Sequence, residues 1–169
     1  MIKLLGSIFA AGGALWLGCF WAGALRRRTA AVEDVLRGLA LLEGELSLRG
    51  GTLEELMLRL APRAPGAAGE LFAAFARGLS RLGEDTAAGL WRAAVEELET
   101  LSREGKGLLI PLGEFLGRYE VQEQCRAIGE TRARLEQLLE REQAQCRENC
   151  RLCRVLSLSG GAFLVILLL

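Results

Sequence analysis

The chain has 169 residues, of which 51% are hydrophobic and 25% charged, with 21 basic residues balancing 21 acidic ones and no histidine. Zero net charge and the lack of a basic stripe interleaved with aromatics argue against a nucleic-acid binder. The absence of imidazole removes it from every catalytic or metal-ligand scheme. The length suits one ordinary domain with a single modest core, plus anchors.

From Leu4 to Leu25 the chain carries no charge, and it then meets Arg26-Arg27-Arg28. As a helix rising ~1.5 Å per residue this stretch is ~33 Å long, enough for the ~30 Å hydrocarbon core of a bilayer. Gly6, Ala10, Ala14, Gly18 and Ala22 recur at every fourth position and lay small side chains along one face, where a second helix can approach closely. Ala22-Gly23-Ala24 has the small-x-small form of a signal-peptidase site. The apolar run is long for a signal peptide, however, and the basic cluster follows it, so a retained transmembrane anchor is expected over 1–28. Arg26, Arg27 and Arg28 outweigh Lys3 and place the following domain in the cytosol, with the N-terminus outside. A cytosolic body keeps its five cysteines as thiols and leaves no disulfide framework.

Past the arginines, Val32, Val35, Leu36, Leu39, Leu42 and Leu46 keep the three-four spacing of an amphipathic helix until Gly50-Gly51. Thr52 with Glu55 forms a capping box that opens a second helix through Leu53, Leu56 and Leu60. Two prolines in Ala61-Pro62-Arg63-Ala64-Pro65-Gly66 predict a corner. A third helix presents Leu71, Phe72, Phe75, Leu79 and Leu82 and stops at Gly83. Asp85 or Thr86 caps a fourth with Leu90, Trp91, Ala94, Val95 and Leu98 on its apolar face. A fifth is expected around Lys106 to Leu116, carrying Leu108, Leu109, Leu112, Phe115 and Leu116, with Pro111 as a kink or late start and Gly117 as its C′ residue.

From Glu120 to the end one long helix is expected. Val121, Cys125, Ile128, Leu135, Leu138, Leu139, Cys146, Cys150 and Cys153 form its apolar stripe, in the manner of a coiled coil. Arg141 to Arg151 reads as a solvated stalk, and 154–169 as a short C-terminal transmembrane tail. The uncharged Val155 to Leu169 covers only ~22 Å, with Leu152, Cys153 and a snorkelling Arg154 extending its reach. Arg151 and Arg154 agree with a cytosolic domain, over 29–153, and an outward C-terminus. Ser157 and Gly161, four apart, offer a partner face to the small residues of the first span. No strand pattern occurs, so the fold class is all-α.

Few constellations suggest chemistry. Cys146-x3-Cys150-x2-Cys153 matches the three-cysteine string of radical enzymes that use S-adenosylmethionine. On a helix, however, those sulfurs are strung over ~10 Å, whereas a cluster needs them to converge from a loop. They read instead as small hydrophobes, and a structural zinc lacks a fourth ligand nearby. Glu54-Glu55, Glu84-Asp85 and Glu96-Glu97 fall on outward faces or first turns, which solvation and the helix dipole explain. Gly105-Lys106-Gly107 lacks the rest of a phosphate-binding loop. Trp91 reads as core. No catalytic residue, metal site or cofactor is expected, and the protein is not expected to be an enzyme.

The glycine-rich first span, the arginine triplet, Leu39-Ala-Leu-Leu-Glu-Gly-Glu-Leu46, Trp91, Leu116-Gly117-Arg118 with Gln124 following, and the short closing tail occur in an order that resembles the stage III sporulation protein AB family. The resemblance implies a six-helix bundle like the cytoplasmic helical domains of the platform protein of type II secretion and type IV pilus machines. It implies a place on the mother-cell side of the transenvelope complex that joins mother cell and forespore during endospore formation. It also implies a docking role for a cytosolic partner ATPase, stage III sporulation protein AA, and leaves room for a homo-oligomer. Two departures stand out. Tyr119-Glu120 replaces the family's Ser-Asp pair, so the polar N-cap of the long helix is missing, and Leu48-Arg49 and Gly51-Thr52 replace its Tyr-Gly and Thr-Pro. A generic membrane-tethered adaptor with an unrelated soluble partner is the alternative that the same physical features permit.

Overall fold

A computed structural model describes residues 27–48, 52–80 and 86–168. Among these residues every regular element is helical. In chain order they are α1 (27–48), α2 (Leu53–Leu60), α3 (Gly66–Leu79), α4 (Ala87–Glu97), α5 (Arg103–Leu109), a 3-10 turn at Ile110–Glu114, and α6 (Val121–Leu168). The chain divides into two compact units. Arg28–Glu140 is a helical bundle, and the other unit includes the remainder of α6 from Arg141.

The bundle follows from the apolar stripes. Val32, Val35, Leu39 and Leu42 of α1, Leu56, Met57 and Leu60 of α2, and Leu71, Phe72, Phe75 and Leu79 of α3 are buried in one core with Trp91, Val95 and Leu98. These are the positions that a 3.6-residue period selects, with Met57 the addition and the expected Leu36, Leu46, Leu53 and Leu90 only half-buried. Burial of such side chains contributes roughly 1.5–3 kcal/mol each before chain entropy is counted. Trp91 sits at the centre: its indole N–H donates to the Leu109 carbonyl at 2.8 Å, and its ring meets Phe75 edge-on with centroids 5.1 Å apart. Its polar handle is thereby satisfied in an apolar setting.

Local signals set the helix starts. The Thr52 hydroxyl accepts from the Glu55 amide at 3.3 Å. Of the two candidates for the fourth helix, Thr86 takes the role and accepts from the Gly89 amide at 3.2 Å. The corner at 61–66 forms as expected, with Pro65 as the extended N-cap residue of α3. Where α1 crosses α3, Gly38 is buried, and a Cβ placed there would overlap the Ala68 Cβ and lie 3.3 Å from the Phe72 ring. Glycine lets these two backbones approach.

The fifth helix differs from expectation. It begins earlier, at Arg103, because the Ser102 hydroxyl accepts from the Gly105 amide at 3.2 Å. It also ends at Leu109 instead of running to Leu116. Pro111 has no N–H for an α-helical bond, and the chain tightens into the 3-10 turn. Phe115 therefore opens a turn and is exposed, while Leu109, Leu112 and Leu116 stay buried. Lys106 reaches across and donates to the Glu96 carbonyl at 2.8 Å. It covers the C-terminus of α4, which has no basic residue in its own last turn.

In the bundle, α6 turns Gln124, Ile128, Thr131, Leu135 and Leu138 inward, a four-three-four-three spacing. The expected stripe needs two corrections. Val121 is 45% exposed, since inward packing begins one turn later, and two polar residues occupy inward positions. Beyond the bundle, Arg141, Ala144, Gln145, Arg147 and Glu148 are exposed while Glu142 and Gln143 are half-buried, so that stretch is mostly but not wholly solvated. The helix is unbroken through Leu168. Among the described residues no helix is long and apolar enough to cross a membrane. The expected span Leu4 to Leu25 lies outside the described residues, and so do the side chains of the expected tail 154–169.

Candidate functional site

The charged residues weighed for acid–base work stand at the surface: Glu55, Glu96 and Glu97 are exposed and Glu54 is half-buried. Glu84 and Asp85 lie outside the described residues. Among the described residues no cluster of three or more cysteine or acidic side chains could hold a metal ion. Cys146, Cys150 and Cys153 fall within the continuous α6, the helical setting expected for them. The features that set this bundle apart are polar bonds at its α1–α6 seam and an exposed apolar cluster near the start of α6.

The seam is built from both helices. The Glu43 carboxylate meets Arg132 at 2.8 Å, and the Ser47 hydroxyl lies 3.5 Å from the Cys125 thiol. Since the earlier α1 residue pairs with the later α6 residue, the two helices run antiparallel. Two residues from Glu43, Glu45 binds Arg63 in the corner between α2 and α3 at 2.7 Å. The segment Leu39 to Leu46 thus buries Leu39 and Leu42 and ties α1 to two other parts of the bundle through its paired glutamates. Arg132 and Glu43 are each about one-third exposed, at 32% and 34% of the side chain. Such a bridge contributes roughly 1 kcal/mol or less, and its larger consequence is register.

The start of α6 is held by Gln124. Gly117 adopts φ +74°, a left-handed conformation that suits glycine. Its N–H donates to Gln124 Oε1 at 3.2 Å. The other end of the same amide, Nε2, donates to the Tyr119 carbonyl at 2.7 Å. Gln124 is only 6% exposed. Gln124 ties the preceding turn to the helix: one side-chain amide satisfies the Gly117 donor and the Tyr119 acceptor, both on the chain just before α6. The turn presents Phe115 and Tyr119, whose ring centroids are 5.5 Å apart. With Val121, and with Leu48 next to Ser47 at the seam, they are among the exposed large apolar residues of the bundle.

Of the residues read as membrane-facing, Gly6, Ala10, Ala14, Gly18, Ala22 and Arg26 lie outside the described residues. Arg27 and Arg28 open α1 and are exposed. Arg151, Arg154, Ser157 and Gly161 lie on the last part of α6. Sequence reasoning missed Gln124 as a structural residue, although it stood in the family signature, along with Gly38 and Thr131. A glycine inside a strong helical pattern was the available signal for Gly38.

Comparison with known proteins accords with this architecture. A solved structure described as stage III sporulation protein AB (SpoIIIAB) is similar at 24% identity, with a TM-score of 0.62 over 72% of this chain and 98% of that one, a likeness of fold. Among curated proteins nothing matches. The family model for stage III sporulation protein AB matches residues 3–169. The chain therefore belongs to the stage III sporulation protein AB family, and is by that membership a component of the sporulation machinery.

Proposed function

We propose that the protein is a non-enzymatic membrane component of the complex joining mother cell and forespore, and that its bundle docks a cytosolic secretion-type ATPase onto the membrane channel. The observation that carries this reading is the antiparallel pairing of α1 with α6, seen in Glu43–Arg132 and Ser47–Cys125. It directs Arg28 and Glu140 toward the same end of the bundle, so the flanking uncharged stretches 4–25 and 155–169 can enter one bilayer from one side. The expected orientation residues Arg26, Arg27, Arg28, Arg151 and Arg154 then stay cytosolic, with both termini outside. In this reading the two membrane helices pack through Gly6, Ala10, Ala14, Gly18 and Ala22 against Ser157 and Gly161.

Co-purification from membranes of sporulating cells is the direct test. Stage III sporulation protein AA should be retained by the tagged protein, and its consistent absence would overturn the docking role. Thiol labelling of Cys150 and Cys153 tests topology independently: modification after lysis but not in intact cells is expected, and labelling from outside would invert the arrangement. Replacing Ala14 or Gly18 with Leu should impair assembly while insertion persists.

A further inference from the structure

The outer face of α3 carries Glu70, Ala73, Ala74 and Arg77, opposite the buried Leu71, Phe72 and Phe75. Their spacing of i, i+3, i+4, i+7 makes them one stripe. With Ala94 and Glu97 of α4 they line a shallow groove. Phase along the two helices is set by Phe75 against Trp91 and by Gly78 against Leu90, so α3 and α4 run antiparallel and Glu97 falls at the Glu70 end. The groove is thus acidic at one end, basic at the other and floored by alanines. Glu70, Arg77 and Glu97 are all exposed, and none is in an ion pair among the described residues.

We propose that this face is a contact between two copies of the chain, with α3 packed antiparallel on α3 of a second copy about a two-fold axis between Ala73 and Ala74. The occupant follows from charge complementarity. A two-fold axis midway between Glu70 and Arg77 sets Glu70 against Arg77 of the partner subunit and, by the same rotation, Arg77 against Glu70 of the partner subunit. The two charges are seven residues apart, ~10.5 Å along the helix, so both pairs form together. Glu97 adds a second carboxylate facing the guanidinium at each end. Alanines at the axis let the helices approach to the ~8 Å low end of helix packing distances. The inference is independent of the membrane topology and of the ATPase.

The test uses full-length protein in detergent micelles, with association measured by sedimentation equilibrium and folding by far-ultraviolet circular dichroism. Arg77→Glu makes the face wholly acidic, and Glu70→Arg with Glu97→Arg makes it wholly basic. Each variant alone should dimerise at least about tenfold more weakly than the native protein, because like charges are set opposite each other. Mixed one to one, the acidic and basic variants should pair with each other at about native strength. A native chain that stays monomeric overturns the proposal. So does a folded single-sign variant that self-associates like the native protein, or a mixture of folded variants that fails to pair. Should either variant lose its helical signal, Ala74→Cys in a background with the five natural cysteines replaced by Ser decides. A short bis-maleimide must then link two copies through position 74, and failure to do so overturns the proposal.

Discussion

The α3–α4 half of the bundle and the α1–α6 seam are stabilised by different physics. Around Trp91 the contacts are close-packed apolar surfaces, with Phe72, Phe75, Leu71 and Val95 buried together. One indole hydrogen bond adds direction. Along the seam, Glu43–Arg132, Ser47–Cys125 and the two bonds of Gln124 set how α1, α6 and the preceding turn align. Apolar packing is non-directional and tolerates volume-conserving change, whereas polar bonds depend on register and lose their value when either end moves. The first region is therefore held chiefly by packing, and the polar bonds of the second align its helices.

Substitutions should separate the two regions by size of effect. Trp91→Ala should cost about 3–5 kcal/mol, since it leaves a large cavity and an unpaired Leu109 carbonyl. Chemical denaturation of the full-length protein checks it, and a loss under about 1 kcal/mol would remove Trp91 from the centre of the core. Gly38→Leu should follow at roughly 1–3 kcal/mol or more by overpacking α1 against α3. Replacing Gln124 with Leu should cost about 1–3 kcal/mol through two orphaned backbone groups. It should also raise amide hydrogen exchange at Gly117 to Val121 more than at Trp91, the pattern that distinguishes a local latch from general weakening. Thr86→Ala should lower stability by about 1 kcal/mol by removing a cap. The smallest expected effect is the Glu43–Arg132 coupling in a double-mutant cycle, about 0.2–1 kcal/mol and falling with salt.

Most of the α2, α3 and α4 faces were legible from spacing alone, and so were the Thr52 cap and, as one of two candidates with Asp85, the Thr86 cap, because such signals lie within one or two turns of chain. Helix five departs from its periodicity for a local reason as well: Ser102 caps an earlier start, and Pro111, expected as a kink or late start, forces a tighter turn. The polar members of the α6 face were less accessible. Gln124 and Thr131 break an apolar pattern, and their inward placement depends on what stands opposite them. The proposed α3 contact was not visible as a surface until α4 placed Glu97 beside Glu70.

The sequence by itself determined that this is an all-helical member of its family, which side of each short helix faces the core, and where several helices begin. Backbone periodicity and capping act over a few residues and need no distant partner. Only the tertiary structure decided that Gly38 is a crossing point, that Glu43 and Glu45 bind different elements, and that Gln124 ties the turn at Gly117 and Tyr119 to α6. Each of these depends on a group that the fold brings close. The value of a polar or glycine residue is set by that neighbour and not by the residue's own preference.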